Sequence, residues 1–481
     1  MIKRKIKILG AVFLASCLLL GTVFCTAACT EETVTITLWN YYNSDQLTSF
    51  NKLVEEFNKT VGAEEKIIVE SKSQGAINLL SDQLLDSVQH KSGAEPTPNI
   101  AAVYSETAFI LEEYDALAAF DEYFTDDELA EYVPAYIEEG RLVDNGPLYL
   151  LPVSKSTEVL AFNATDWAPF EAAKGITIDS IETIEDMVAA AAVYYEWSGG
   201  KALYGRDSLE NYIYISTAQL GHEMFKVGAD GKPAIDLDRG TFKAMWDNYY
   251  VPMVNGYFHG EKKDGKSTYA SDLAKFGKVL ALTCSTSAMT YFPTVVIEGD
   301  DLEHAVDTVM KKPLLFKNRT KDAYVQQGAA YCMLKSTEVK EKASTLFLKW
   351  LTEKENNIKF SLQSSYCPAK TAANDVTAIT EAFGSVDSAK AKNILNSLTV
   401  SAQVLTSGNT YASKPFNGAK EVRAYLGEKL EDVTIGDCRK IEAAMKDGAT
   451  RAEALNNKEN VHDFDAWFDE LVEHVNSLLV K

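Results

Sequence analysis

The chain has 481 residues, a formal charge of −22, and 46 % hydrophobic against 24 % charged residues. That is the make-up of a soluble globular protein long enough for two or more domains. So acidic a surface repels phosphate backbones and anionic lipid, which argues against a nucleic-acid binder.

Residues 1–28 read as a targeting segment. Lys3, Arg4, Lys5 and Lys7 precede an apolar run from Ile8 to Phe24, followed by Thr26-Ala27-Ala28 and then Cys29. The run is marginal as a membrane span, which needs ~20 residues, and it exits on small residues. Cleavage is expected, with Cys29 carrying a lipid as in a bacterial lipoprotein. Leu14-Ala15-Ser16-Cys17 is a rival lipobox, but cutting there leaves Leu18-Leu19-Leu20 exposed in the tether. Cys284, Cys332, Cys367 and Cys438 lie far apart without C-x-x-C spacing. No zinc site is expected, and buried free thiols are preferred to disulfides, whose pairing stays open.

Thr33–Trp39 alternates strictly, with Val34, Ile36 and Leu38 on one face, so it reads as a strand. A helix follows, capped near Ser44 or Asp45, with Leu47, Phe50, Leu53, Val54 and Phe57 on its apolar face. A strand at Ile67–Val69, a helix through Leu79–Val88 and a buried strand at Pro98–Tyr104 complete a β-α-β-α-β pattern. It predicts a parallel sheet covered by helices. Ligands of such sheets bind beyond the strands' carboxyl ends, which nominates Trp39, Tyr41, Tyr42, Tyr104, Ser105 and Glu106. Flat tyrosine and tryptophan faces suit sugar rings, although Trp39 reads equally as packing under a helix.

Tyr149–Asn163 is two apolar strands split by Pro152 and a hydroxyl-rich turn. Pro152 breaks any continuous ladder, leaving a hairpin or a crossing between lobes with Ser154, Ser156 and Thr157 facing a cleft. Tyr204–Ser208 is a strand-to-turn element that leads into a tyrosine-rich helix, and Asp230-Gly231 is a hairpin turn. Val279–Ala288 is an apolar strand ending in hydroxyls, and Phe464–Leu479 an amphipathic helix. The nucleophile elbow, phosphate loop, zinc helix and dinucleotide fingerprint are missing, and the six histidines are scattered. No carboxylate pair stands out by spacing, so a secreted glycosidase stays only as an alternative.

The Tyr149–Asn163 run, Val279–Ala288, Gln326–Lys335 and the block FLKWLT-x-x-E-N at Phe347–Asn356 with Tyr366-Cys367-Pro368 carry a resemblance. They resemble the family 1 extracellular solute-binding proteins of ABC importers, among them the maltose-binding and glycerol-3-phosphate-binding proteins. The resemblance implies an α/β fold of the two-lobed periplasmic-binding type (type II). Each lobe would be a mainly parallel sheet flanked by helices, with an α-rich C-terminal region. It implies an N-terminal lobe from 29–155 and 285–328, a C-terminal lobe from 156–284 and 329–481, and hinge crossings near 153–158, 283–288 and 326–330. Carried over by position, the binding residues are Ser105 or Glu106, Ser156, Thr286 or Ser287, Gly328, Tyr366 and, near the C-terminus, Lys414 or Arg423. Gly205-Arg206-Asp207-Ser208 stands where the glycerol-3-phosphate-binding pattern has a tryptophan segment, so Arg206 and Asp207 suggest hydrogen bonding to hydroxyls. The implied role is capture of a sugar or oligosaccharide for a membrane permease, by a monomer anchored at the outer face of the bacterial membrane. No cofactor, metal or catalysis is implied. The alternative ligand is glycerol 3-phosphate or a diester of it.

Overall fold

The computed structural model describes residues 32–227, 233–260, 269–298, 302–384, 386 and 388–479. Cys17, Cys29 and the Asp230-Gly231 turn lie outside these, although the strands flanking that turn, Phe225–Val227 and Pro233–Ile235, pair antiparallel.

The alternation of the first strand does what period two requires. In Val34–Asn40, Ile36 and Leu38 point to one face and pack with Phe50, Leu53, Val54 and Phe57 of the Ser44–Lys59 helix. Trp39 points to the other face and packs with Leu80 and Leu84 of the Ile77–Val88 helix. Val34–Asn40 pairs in parallel with both Ile67–Ser73 and Ile100–Val103. Ala330–Leu334 then adds antiparallel to Ile100–Val103, and carries Leu117–Ala118 and Leu150–Leu151 on its other side.

The second sheet is mixed, in the order Phe258–His259, Tyr204–Arg206, Ala281–Ser285, Glu158–Asn163, Thr308–Lys311. Tyr204–Arg206 is parallel to both neighbours, whereas Glu158–Asn163 is antiparallel to both of its own. Its core stacks Phe162, Trp167, Phe170 and Tyr194 edge to face. The Ala419–Lys446 and Phe464–Leu478 helices close it with Leu426, Leu430, Trp467, Phe468 and Leu471.

The sheets correct two of the expected lobe assignments. Thr308–Lys311 pairs with Glu158–Asn163, so this part of 285–328 belongs with the second sheet. Ala330–Leu334 pairs with Ile100–Val103, so 329–481 is not confined to the second lobe. The chain therefore does not change sheets at 283–288. It changes between Leu151 and Glu158 and again between Lys311 and Ala330. At these two crossings the backbones of Ser156 and Gln327 exchange hydrogen bonds of 2.8 and 3.0 Å. The fully buried Lys155 donates to Glu139 Oε1 and to the Gly328 carbonyl, both at 2.7 Å. Gly328 sits at φ 101°, and a Cβ there would lie 3.4 Å from the Lys155 Cα, so glycine suits the close approach.

Candidate functional site

Between the two sheets lies a cleft of about 560 Å³. The first lobe contributes Tyr41, Asn43, Gln46 and Tyr366; the second contributes Asp207, Ser208, Tyr269, Asp272, Ser285, Ser287 and Tyr291. Glu158, Gln327 and Asn211 form the floor near the crossings.

Tyr41 reaches the cleft because the turn after the first strand is pinned. Asn40 Nδ2 donates to Ser71 Oγ at 2.9 Å, and its Oδ1 accepts the Tyr42 N–H at 3.0 Å. The turn directs Tyr41 outward, while Tyr42 goes into the core against Phe50 and Phe360. The Tyr41 and Tyr366 hydroxyls lie 3.2 Å apart. Burial first, then the neighbouring phenols, pushes the Tyr41 hydroxyl well above its ordinary pKa. Tyr366 is set by the end of the Lys354–Ser364 helix, whose cap Ser365 is left-handed at φ 57°. Asn357 of that helix ties the turn to the first crossing, donating to the Val153 carbonyl at 2.8 Å and accepting from the Ala369 N–H at 2.7 Å.

On the opposite side Arg206 is committed to scaffolding. Its guanidinium meets Glu158 at 3.2 Å and donates from Nε to the Asp207 carbonyl at 3.2 Å. Burial raises the Glu158 carboxyl, opposed by Arg206 and by Asn211. Asn211 donates to Glu158 Oε1 at 3.2 Å and to Gln327 Oε1 at 2.9 Å, and accepts from Arg423 at 2.8 Å. Asp207 Oδ1 accepts the Ala270 N–H at 2.7 Å, which fixes the neighbouring Tyr269 against the same turn.

Of the residues expected at the site, Tyr41, Asp207, Ser287 and Tyr366 line the cleft. Tyr104, Ser105 and Glu106 line a small adjoining pocket with Arg423 and Glu139. Burial raises the Tyr104 hydroxyl to about 12. Others are placed elsewhere. Trp39 and Tyr42 are core residues, because strand alternation and the Asn40 turn face them inward. Ser154, Ser156, Thr157 and Thr286 are buried, because Ser154 pairs with Pro368, Ser156 with Gln327, and the Thr286 N–H donates to the Thr157 carbonyl at 2.9 Å. Gly328 serves the crossing, with its carbonyl on Lys155. Lys414 donates to the Glu138 and Arg141 carbonyls, both at 2.9 Å, at the end of the Pro134–Gly140 helix. Arg206 lies behind the cleft wall, paired with Glu158. Sequence reasoning missed Tyr269, Tyr291, Asn43, Gln46, Asn211 and Gln327 as lining residues. Tyr291 follows the hydroxyl end of the Ala281–Ser285 strand, a usable signal; no local pattern marks Tyr269. Among the described residues no cluster of histidine, cysteine or carboxylate groups is suited to hold a metal.

A sequence model described as bacterial extracellular solute-binding protein matches residues 52–387. No curated protein sequence matches. Solved structures share the fold at low identity. The cyclic alpha-maltosyl-1,6-maltose binding protein of Arthrobacter globiformis is 16% identical over 93% of this chain and 99% of its own, with a TM-score of 0.62. The Listeria monocytogenes ABC substrate-binding protein in complex with cycloalternan is 14% identical over 92% and 100%, at 0.65. Mycobacterium tuberculosis UgpB in complex with glycerophosphocholine is 13% identical over 92% and 98%, also at 0.65. With two-thirds of its length matched and this two-sheet cleft, the chain belongs to the bacterial extracellular solute-binding proteins.

Proposed function

We propose that this protein captures a neutral sugar or oligosaccharide in the cleft between its two sheets and delivers it, without chemical change, to the permease of an ABC importer. In this reading it is a monomer tethered to the outer face of the membrane by lipid on Cys29. The observation that carries the ligand class is the make-up of the cleft wall. Tyr41, Tyr269, Tyr291 and Tyr366 offer faces, amide and hydroxyl groups offer partners, and no lysine or arginine lines the cleft among the described residues. Sugars need such faces and many hydrogen bonds. Phosphate would favour a basic fork. The binding of cyclic alpha-maltosyl-1,6-maltose and cycloalternan by two structural relatives supports the same class.

The second reading, a glycerophosphodiester, has one observation in its favour: Arg423 reaches the small pocket beside Tyr104, and UgpB in its glycerophosphocholine complex shares the fold. Isothermal titration against neutral oligosaccharides and glycerophosphodiesters separates the two. Micromolar binding of a neutral sugar, about −8 kcal/mol, is expected. Tight glycerophosphodiester binding that collapses in Arg423→Ala would reverse the assignment, and release of hydrolysed product from the bound sugar would move the protein to the glycosidases.

A further inference from the structure

We infer that a second chamber, opening off the cleft behind the Asp207–Ser208 turn, takes a further uncharged sugar unit, so that the ligand is an oligosaccharide longer than the cleft alone would hold. This rests on the sugar reading and specifies the length and charge of the sugar.

The chamber measures about 340 Å³ and has Asp207, Ser208 and Tyr269 as walls in common with the cleft. Its far side is the Ala419–Lys446 helix, which presents Ala424 and Gly427. At Gly427 the Leu209–Gln219 helix comes so close that an added Cβ would lie 3.1 Å from the Glu210 nitrogen. The turn that divides chamber from cleft is held rigidly. Ser208 occupies the left-handed region at φ 52°, sparsely populated for a non-glycine residue, and persists because its surroundings hold it. Arg206 supplies that hold, with Nε on the Asp207 carbonyl at 3.2 Å and a terminal nitrogen on the Ser208 carbonyl at 3.4 Å. Tyr269, 69 % exposed, stands at the junction, where one ring can face a chain of sugars passing from cleft to chamber.

The chamber also selects by charge. Glu210, Glu428 and Glu431 join Asp207 on its wall, and Arg206, the one cation there among the described residues, is paired with Glu158. Carboxylates accept hydrogen bonds from sugar hydroxyls but repel a uronate or phosphate carried into the same space.

The test uses the whole protein and a ladder of neutral α- and β-linked glucan and xylan fragments, from disaccharides to heptasaccharides. Affinity is expected to rise with length by about tenfold or more until the chamber is filled, then to level off. Ala424 is exposed on its helix, so Ala424→Trp fills the chamber without entering the core. It should abolish the gain from added length. An oligosaccharide ending in a uronate should bind about tenfold more weakly than its neutral counterpart, with the deficit relieved in Glu428→Gln/Glu431→Gln. If short sugars bind and length adds nothing, or if the gain survives Ala424→Trp, the chamber assignment falls while the sugar reading stands. If no member of the ladder binds, both fall.

Discussion

At the scale of single residues, adjacent tyrosines have opposite fates. Tyr42 fills the core and Tyr41 faces the cleft, because Asn40 holds both ends of the turn between them. Tyr291 and Tyr269 are 63 % and 69 % exposed, so their rings contribute little to the folded core. Replacing either by alanine is expected to weaken sugar binding by roughly 1–3 kcal/mol, the range seen for losing an aromatic stacking face, with the melting temperature unchanged. Calorimetric titration beside a thermal melt checks this; unchanged affinity in both variants would remove the rings from the site. Asp437 is the opposite kind of residue. It is fully buried, and accepts from the Tyr250 hydroxyl, the His462 N–H and Lys440. Burial pushes its carboxyl up, but these hydrogen bonds outweigh burial and the net shift is downward. A lowered pKa in the folded state means that the stabilisation is present above the unfolded value of about 3.9 and is lost as pH falls through it and below. Asp437→Asn should cost about 1–3 kcal/mol at neutral pH and flatten that acid limb in melts taken from pH 7 downward. An unaltered acid limb would show that other carboxylates set it.

At the scale of elements, the crossings carry the organisation. Tyr149–Asn163 reads from sequence as either a hairpin or a crossing, because Pro152 and a polar turn fit both. Tertiary pairing selects the crossing: Leu150–Leu151 joins the first sheet, Glu158–Asn163 the second, and Ser154–Lys155 pairs with Cys367–Pro368 between them. Lys155 is the pivot, since its ammonium joins Glu139 of one lobe to the Gly328 carbonyl of the other crossing. Lys155→Ala strands a largely buried carboxylate and is expected to destabilise by about 3–5 kcal/mol. Lys155→Met/Glu139→Leu should recover much of that loss, because an apolar pair of similar volume avoids the desolvation cost. Urea unfolding of the single and double variants checks the cycle; a double variant no better than the single would mean that the Gly328 carbonyl, not Glu139, is the partner that matters.

At the scale of the whole molecule, the two sheets are joined by crossings that lie side by side at Ser156 and Gln327, and closure about them is the expected motion. A ligand touching both walls favours the closed arrangement only by its differential affinity for that state. Small-angle scattering should therefore register a smaller radius of gyration when a binding sugar is added, and mass spectrometry should recover that sugar intact. Binding without compaction would leave the recognition of the ligand standing and remove hinge closure from it.

The sequence by itself determined the local layers and the family. Strict alternation at Thr33–Trp39 and the β-α-β-α-β run require a parallel sheet, and the periodic apolar residues of Phe464–Leu479 require a packed helix, because burial depends only on spacing within one element. It also nominated Tyr41 and Tyr366, which line the cleft and follow a strand end and a helix end that local rules mark. Only the tertiary structure decided which sheet receives Thr308–Lys311 and Ala330–Leu334, since an apolar strand of a few residues fits either sheet until its neighbours are fixed. The same holds for the site. Tyr269, Asn211 and Gln327 come from segments distant in the chain, and Arg206 is withdrawn by a partner 48 positions away, Glu158, that no local pattern could name. A cleft between lobes is a property of how elements pack, so its walls become legible only once the lobes face each other.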